Sequence, residues 1–268
     1  MDMNSLKPWL IRKIRLMLES RGFWLSRQRN KSEVMNLISS LRPKKSTTEL
    51  FRMGPNGDGG YLVPSDLNGV EACFSPGVDQ ISEFELDCSK MGMDVHLADA
   101  SVTGAATKLP ANCSFEKKFL GLVDEGEFIT IDDWVSRRHA GKSDLLLQMD
   151  IEGAEYDVIR SMSLALQRRF RYMVIEFHGL HDLFYHGHQY SSIHKLLTTH
   201  DVVHLHPNNC CPVKFIGEIG IPQVLEITFA RKEYAHQELI PSLPHKLDCD
   251  NTSRNSIQMP EMWFGGDK

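Results

Sequence analysis

The chain has 268 residues, close to the upper size of a single hydrophobic core, so one main domain with an added segment is expected. Its composition, 41% hydrophobic and 24% charged, excludes a disordered chain and a membrane-embedded one. A formal net charge of -5 gives no general attraction to a polyanion, so we exclude nucleic acid as a partner. The six cysteines form no Cys-x-x-Cys pair, which favours reduced thiols and a cytoplasmic location.

Residues 5–25 interleave large apolar residues with Lys and Arg. The pattern predicts an amphipathic helix whose charges exclude a membrane span. Two interpretations stay open: the helix rests on an anionic membrane surface, which would make the protein peripheral at the membrane, or it packs on its own domain or on the partner of a homodimer. A second helix is predicted over residues 32–41, and the polar run 42–46 then ends a helical N-terminal extension, residues 1–45.

Strands and helices alternate through the centre of the chain, after the glycine-rich stretch Met53–Pro64, which predicts a loop or a hairpin. The predicted strands cover residues 69–77, 93–101, 114–120, 144–150, 170–179, 201–209 and 223–232, and the predicted helices cover residues 81–91, 131–139, 156–166 and 191–199. This alternation predicts a doubly wound, Rossmann-like α/β sheet, mostly parallel with an antiparallel final strand, over residues 46–233. The tail, residues 234–268, is rich in Pro, Asn and Ser; we expect it to be irregular, to pack on the domain and to contribute little chemistry.

Polar residues collect where the predicted strands end, which is where sheets of this class bind ligands. These residues are Ser75, Asp99, Asp150, Glu176, His178 and His206, and Gly77 ends the first of the strand segments. Asp99 has two interpretations: it accepts hydrogen bonds from ribose hydroxyls, or it caps a helix that begins at Ala100. The turn after the first strand lacks the G-x-G-x-x-G pattern that cradles a pyrophosphate, so a cofactor without phosphates is favoured over a dinucleotide.

Three stretches carry a family resemblance. Residues 146–159, LLQMDIEGAEYDVI, resemble the D-x-E-G-A-E segment of FkbM-type methyltransferases, and residues 128–135, FITIDDWV, resemble the T-x-D-D-W stretch that precedes it. Residues 54–64, GPNGDGGYLVP, are similar to the N-D-G-G-Y element of a related methyltransferase branch. The resemblance spans roughly residues 51–232. It implies a Rossmann-like fold, S-adenosylmethionine as methyl donor, and oxygen acceptors on sugars or polyketide-like natural products.

The resemblance also implies a set of donor-binding residues, with Asp58 on the ammonium group of the donor and Tyr61 stacked on its adenine. The full set is Asp58, Gly60, Tyr61, Ser75, Gly77 and Asp99. Methyl transfer to a hydroxyl requires that the acceptor be aligned with the donor and lose its proton. An imidazole titrates near neutral pH, so His178 and His206 are the candidate bases.

Asp150 and Glu176 form, with His178, a candidate Mg²⁺ or Mn²⁺ site that would bind two sugar hydroxyls. This arrangement resembles that of metal-dependent macrolide-sugar methyltransferases. In the alternative interpretation, Asp150 caps the following helix, and Glu152 and Glu155 are ordinary acids of its first turn.

The sequence therefore predicts an S-adenosylmethionine-dependent O-methyltransferase that acts on a sugar hydroxyl of a glycan or a glycosylated natural product. Two alternatives remain. One is a metal-dependent hydrolase that uses Asp150, Glu176, His178 and His206. The other is a non-catalytic glycan-binding module, suggested by the missing glycine-rich first turn. Affinity for S-adenosylmethionine separates the methyltransferase from the hydrolase, and turnover separates either enzyme from the module.

Overall fold

The computed structural model describes residues 8–23, 28–78, 83–104, 109–185 and 187–265. The helices predicted over residues 5–25 and 81–91 lie partly outside these ranges, as does the end of the predicted tail. Within them the α-helices are α1 (Pro8–Glu19), α2 (Lys31–Ser40), α3 (Glu83–Lys90), α4 (Ile131–Arg138), α5 (Glu155–Ser161), α6 (Leu164–Gln167) and α7 (Gln189–Leu196). Every helix in the described ranges is too short or too polar to cross a lipid bilayer.

The strands are numbered in chain order. They are β1 (Lys44–Ser46), β2 (Leu50–Met53), β3 (Tyr61–Pro64), β4 (Val70–Pro76), β5 (Asp94–Ala98), β6 (Cys113–Glu116), β7 (Phe119–Leu120), β8 (Phe128–Ile129), β9 (Asp144–Met149), β10 (Phe170–His178), β11 (His200–Pro207), β12 (Val213–Ile216), β13 (Ile219–Pro222), β14 (Val224–Arg231) and β15 (Ala235–Leu239).

The central sheet has seven strands in the order β11-β14-β10-β9-β4-β5-β6. β14 runs antiparallel to both β10 and β11, and the other neighbouring pairs are parallel. The predicted fold class, a mostly parallel doubly wound sheet whose late strand is antiparallel, is confirmed. The chain moves from β4 outward to β5 and β6 and then returns to β9 on the other side of β4. The winding therefore reverses between β4 and β9, and open α/β sheets bind ligands at such a point.

Both faces of the sheet are covered, because successive side chains of its central strands point into two different hydrophobic clusters. Phe74 of β4 and Leu147 of β9 belong to the cluster on one face, whereas Cys73 and Leu146 belong to the cluster on the other. Strands buried on both faces are apolar at successive positions instead of at alternate ones. The run DLLLQM of β9 has this composition, which explains why the sequence pattern located the strand.

The second helix of the N-terminal extension and the C-terminal tail both pack on the main domain. Val34, Leu37 and Ile38 of α2 are buried in the larger cluster. β1, which lies at the predicted boundary, pairs antiparallel with β15 of the tail. The tail's Trp263 is fully buried and donates its indole N–H to the carbonyl oxygen of Gly220 at 2.8 Å. The expectation of an irregular tail is therefore wrong for β15, since the edge of β1 supplies the hydrogen bonds that make it a strand.

Two predicted elements are each divided in two. The strand predicted over residues 114–120 is β6 followed by β7, which leaves the central sheet and pairs with β8. The helix predicted over residues 156–166 is α5 followed by α6, because Ser163 caps α6 by accepting a hydrogen bond from the N–H of Leu166. The glycine-rich stretch, predicted as a loop or a hairpin, is the turn of the antiparallel hairpin β2–β3.

Candidate active site

A cavity of about 310 Å³ opens where β4, β5 and β9 end. Its wall includes Gly77 after β4, Asp99 after β5 and Asp150 after β9, so three of the predicted strand-end residues meet there. Asp58 and Tyr61 contribute to the wall from the β2–β3 hairpin. Because the winding of the sheet reverses between β4 and β9, the fold is expected to bind its ligand in this cavity.

Gly77 allows the ends of β4 and β9 to approach each other. Its φ is +86°, and a Cβ added there would lie 1.5 Å from the carbonyl oxygen of Asp150. The N–H of Gly77 donates to the carbonyl oxygen of Ala98 at 3.1 Å, and the N–H of Asp150 donates to that of Pro76 at 3.3 Å. Only glycine combines this backbone angle with so close an approach to a neighbouring strand end.

Asp99 lines the cavity and also fixes the two segments beside it. Its Oδ2 accepts from the N–H of Val78 at 3.1 Å, and its Oδ1 accepts from the N–H and the hydroxyl of Ser101 at 2.7 and 2.6 Å. Residues 101–104 form bends, so the interpretation of Asp99 as a helix cap is wrong, although the carboxylate does hold a local turn. A carboxylate offers about four acceptor positions, so one remains for a ligand hydroxyl.

Gly60 has a structural role in the glycine-rich turn. Arg52 holds the glycine-rich turn by donating from Nε and Nη2 to the carbonyl oxygens of Pro55 and Gly57, at 2.7 and 2.8 Å. A Cβ at Gly60 would lie 2.0 Å from the carbonyl oxygen of Pro55, and Gly60 does not line the cavity. Gly60 is therefore required to close the turn, and its contact with the cofactor stays a prediction.

Ser75 lies behind the cavity wall. It is fully buried, and its Oγ is 2.5 Å from Glu85 Oε1 and 2.6 Å from Gln148 Oε1. Burial raises the pKa of the Glu85 carboxyl. Since Glu85 and Gln148 both line the cavity, Ser75 positions two lining residues, and its own contact with a ligand stays a prediction. Sequence reasoning missed Gln148; a single amide in the apolar run of β9 is the signal that could have found it.

Two carboxylates and a histidine lie together at the ends of β9 and β10. One ligand atom from each of Asp150, Glu176 and His178 lies within 4.8 Å of the others. His178 Nε2 is 3.9 Å from Asp150 Oδ1 and 3.9 Å from Glu176 Oε1. Asp150 Oδ1 and Glu176 Oε2 are buried and have no hydrogen-bond partner in the part of the chain that the structure describes. Buried oxygens of this kind are suited to a cation or to a hydroxylated ligand.

The same carboxyl groups hold protons more tightly than exposed ones do. Burial raises the pKa of Asp150 to about 7, opposed by the charge of His178 and assisted by that of Glu152. Burial, followed by the charges of Glu226 and Asp150, raises the pKa of Glu176 to about 10. A bound cation favours the ionised form of a carboxyl group and would lower both pKa values.

Glu155 orients the histidine. His178 Nδ1 lies 3.1 Å from Glu155 Oε1, and Glu155 is fully buried. The same oxygen accepts from the N–H groups of Ile151 and Gly153, at 3.2 and 3.0 Å. An Nδ1–H donated to Glu155 leaves Nε2 facing the two carboxylates at the strand ends. Burial lowers the pKa of His178, but the hydrogen bond and the charge of Glu155 outweigh it, so the pKa is raised.

The loop between β9 and α5, with the first residue of α5, places three acidic residues in different surroundings. Ala154 occupies the N-cap position of α5, so the interpretation of Asp150 as the cap of that helix is wrong. Glu152 has a φ of +53° and an exposed side chain. Treating Glu155 as an ordinary acid of the first turn missed its contact with His178, which joins residues 23 positions apart in the sequence.

His206 lies away from this group. The register of β10, β14 and β11 places Glu176 opposite Glu226 and Glu226 opposite His206. His206 is thus two strands from Glu176, about 10 Å at the usual strand spacing. It lines a separate cavity of about 150 Å³. His204 and His206 alternate along β11 and both lie near the carboxylate of Asp248, at 2.9 and 3.8 Å. The structure therefore does not bring His206 to the predicted base position.

The tail contacts the wall of the cavity through Asn251. Asn251 Nδ2 donates to Glu226 Oε1 at 2.6 Å and to Asp58 Oδ1 at 3.1 Å, which joins the tail to β14 and to the cavity wall. Asn209 Nδ2 donates to the carbonyl oxygen of Thr252 at 3.1 Å, and Asn209 Oδ1 accepts from the N–H of the same residue at 2.8 Å. These contacts hold the segment around Asn251 beside Asp58.

Asp248→Asn is expected to destabilise the protein most strongly in mildly acidic solution. Burial opposes ionisation of Asp248, but the neighbouring imidazoles of His204 and His206 outweigh it and lower its pKa, while the pKa of His206 is raised. A carboxyl group whose pKa is lowered by folding stabilises the folded protein at pH values above its pKa in the unfolded chain. An imidazole whose pKa is raised by folding stabilises it at pH values below its pKa in the unfolded chain. Both contributions are therefore present between roughly pH 4 and 6.5. Urea unfolding near pH 6 should show a loss of about 1 to 3 kcal/mol, with a smaller loss near pH 8.

The control for this prediction is Asp250→Asn, which removes a charge from an exposed residue of the same segment. It should leave the free energy of unfolding nearly unchanged at both pH values, as exposed substitutions usually do. Equal losses for Asp248→Asn at both pH values would show that the two histidines do not stabilise the carboxylate.

The fold and the position of the cavity are those of a doubly wound α/β protein with a ligand site at its strand ends. Residues 100–201 match the sequence model of the methyltransferase FkbM domain. The family resemblance predicted from residues 128–135 and 146–159 is thereby confirmed for this region, which also contains Glu176 and His178. The match supports an S-adenosylmethionine-dependent methyltransferase.

The chain was also compared with curated proteins and with solved structures. None of the curated proteins matches the chain. Among solved structures, the chain is similar to a TehB-like S-adenosylmethionine-dependent methyltransferase from Corynebacterium glutamicum, with 13% sequence identity over 83% of this chain and 97% of that one and a TM-score of 0.35.

Proposed function

We propose that the protein transfers a methyl group from S-adenosylmethionine to a sugar hydroxyl of a glycan or a glycosylated natural product. The observation that carries this proposal is that Asp150 belongs to two sites: it lines the cavity at the strand ends, and it forms a group with Glu176 and His178. A donor in the cavity would present its methyl group to an acceptor held by that group. The choice of a sugar rests on the FkbM resemblance.

The cavity provides partners for different parts of the donor. Asp99 would accept a hydrogen bond from the ribose, and the Asp58 carboxylate would bind the ammonium group. Burial, and after it the charge of Asp150, raises the pKa of Tyr61, whose hydroxyl accepts a hydrogen bond from Gln148 at 3.4 Å. Tyr61 and Asp150 line the same cavity, and Tyr61 is proposed to lie beside the amino-acid end of the donor instead of on the adenine.

His178 is the proposed general base. The acceptor oxygen attacks the methyl carbon in line, the bond from that carbon to sulfur breaks, and a neutral thioether leaves. The hydroxyl proton moves to His178 Nε2, since Nδ1 is held by Glu155. The buried carboxylate of Glu155 stabilises the imidazolium that forms, as the aspartate does in a catalytic triad.

The same residues fit a divalent metal ion. Two buried carboxylate oxygens without partners among the described residues are the hard ligands that Mg²⁺ and Mn²⁺ prefer. Asp150, Glu176 and His178 would hold the ion, which when bound would lower the pKa of a coordinated sugar hydroxyl. His178 cannot be a ligand and the base through the same nitrogen, so metal dependence of turnover distinguishes the two roles.

The two alternatives from the sequence make different demands. A metal-dependent hydrolase would use the group at the strand ends but not the cavity beside it, and the separation of His206 from Glu176 weighs against it. It requires hydrolysis without affinity for S-adenosylmethionine. A glycan-binding module requires binding of the sugar without turnover.

Calorimetric titration with S-adenosylmethionine and S-adenosylhomocysteine, with and without Mg²⁺ or Mn²⁺, tests the proposal. We expect binding in the micromolar range. Asp99→Ala should weaken it about 10- to 100-fold, because one hydrogen bond to a charged group contributes about 1.5 to 3 kcal/mol. Asp94→Ala is the control, since Asp94 is exposed at the opposite end of β5. Absence of binding by the unaltered protein would refute the methyltransferase assignment.

A further inference from the structure

α1 exposes large apolar side chains to solvent. Trp9, Leu16 and Met17 are 57%, 54% and 48% exposed, and Phe23, just after the helix, is 64% exposed. At 3.6 residues per turn, Trp9, Leu16 and Met17 occupy one sector of the helix, with Lys13 between them. The ammonium group of Lys13 lies 5.3 Å from the centre of the Trp9 ring. The outward sector of α1 is therefore apolar with a cation at its centre.

The remaining apolar residues of α1 do not make it a core helix. Leu10, Ile11, Ile14 and Leu18 are half-buried, and no residue over 9–23 is buried. In the described ranges, α1 contributes no side chain to the two hydrophobic clusters and none that packs against them. α2 differs in this respect, since it buries three residues in the larger cluster.

The charge of this segment is opposite to that of the whole protein. Residues 9–23 contain four cations and one acid, a net charge of +3, whereas the chain has a net charge of -5. The cations are Arg12, Lys13, Arg15 and Arg21, and the acid is Glu19. Arg15 pairs with Glu19 at 2.7 Å, and a neutral apolar partner would supply no counter-charge to Arg12, Lys13 and Arg21. A surface that is both anionic and apolar below its charged layer matches both features.

We propose that α1 binds the surface of an anionic phospholipid bilayer. The helix, about 18 Å long for its 12 residues, lies in the plane of the interface. Trp9, Leu16 and Met17 enter the headgroup region, while Lys13 and Arg12 reach the lipid phosphates along their aliphatic stems. This inference is independent of the proposed methyl transfer, and its test requires no acceptor.

Vesicle flotation with the full chain tests this proposal. Binding is expected to vesicles that contain phosphatidylglycerol and not to vesicles of phosphatidylcholine alone, and it should weaken as salt is added. Each basic residue near an anionic surface contributes about 1 kcal/mol, so Arg12→Glu with Lys13→Glu should weaken binding at least about 30-fold. Trp9→Ser should weaken it about tenfold through the loss of apolar contact.

Matched controls keep the test specific. Lys117→Glu with Lys142→Glu changes the net charge equally at exposed positions outside α1, and Phe215→Ser removes a similarly exposed aromatic ring from β12. Both controls should bind vesicles as the unaltered protein does. Three outcomes would overturn the proposal: equal binding to neutral vesicles, no effect of the α1 reversal, or a dimer by light scattering that the α1 reversal dissociates. The last outcome would assign α1 to a second copy of the chain.

Discussion

His178→Ala is expected to lower kcat by about 10²- to 10⁴-fold, the range that a positioned general base contributes. The imidazole is held by Glu155 at 3.1 Å, and its Nε2 faces Asp150 and Glu176, so its removal leaves the acceptor hydroxyl without a proton acceptor. Release of S-adenosylhomocysteine at saturating donor and acceptor measures the effect. Donor affinity should change little, because His178 does not line the cavity.

Two other histidines serve as comparisons for this prediction. His194→Ala should leave kcat unchanged, since His194 is an exposed residue of α7. His206→Ala should have a much smaller effect than His178→Ala, because His206 lies 3.8 Å from Asp248 and lines a separate cavity. If His178→Ala retained full turnover while His206→Ala lost it, the base would be His206 and the interpretation of the structure would be wrong.

The pH dependence of kcat provides a second readout of the same assignment. A base must be unprotonated, so kcat should rise with pH through the raised pKa of His178. Glu155→Gln removes the charge that raises this pKa. The acidic limb of the profile should therefore move to lower pH, with a lower plateau because the imidazolium loses its stabilising partner. An unmoved acidic limb would show that His178 does not titrate in the reaction.

Gly77→Ala is expected to cost at least about 3 kcal/mol of folding free energy or to prevent folding. The added Cβ would lie 1.5 Å from the carbonyl oxygen of Asp150, and the residue would keep a φ of +86°. Relief requires that the ends of β4 and β9 separate, which would also alter the cavity wall. Urea unfolding followed by circular dichroism measures the loss.

Gly92→Ala is the matched control, because it isolates the backbone angle from the collision. Gly92 has a φ of +90°, and a Cβ there meets nothing within 4 Å. Its cost should be about 1 to 2 kcal/mol, the usual penalty of the left-handed region for a residue with a side chain. Equal costs at the two positions would mean that β4 and β9 approach less closely than the structure indicates.

The glycine-rich turn and the strand ends show how much of the candidate site could be predicted from the sequence. Gly77, Asp99 and Asp150 were identified because the carboxyl ends of parallel strands meet at one edge of a sheet, whatever their distance in the sequence. Gly60 and Ser75 were predicted to bind the donor, and the structure shows in addition that Gly60 closes the glycine-rich turn and that Ser75 holds two lining residues, which a motif does not reveal. The domain limits followed composition and could not reveal that β1 pairs with β15.

The sequence by itself determined the fold class and, over residues 100–201, the match to the methyltransferase FkbM domain, because hydrophobic periodicity and the D-x-E-G-A-E stretch are properties of short segments. Only the tertiary structure determined which side chains contact one another. The contact of Asn251 with Asp58 joins residues 193 positions apart, and that of His178 with Glu155 joins a strand to a helix. Such pairings depend on how the elements pack against one another, and no local pattern of residues contains that information.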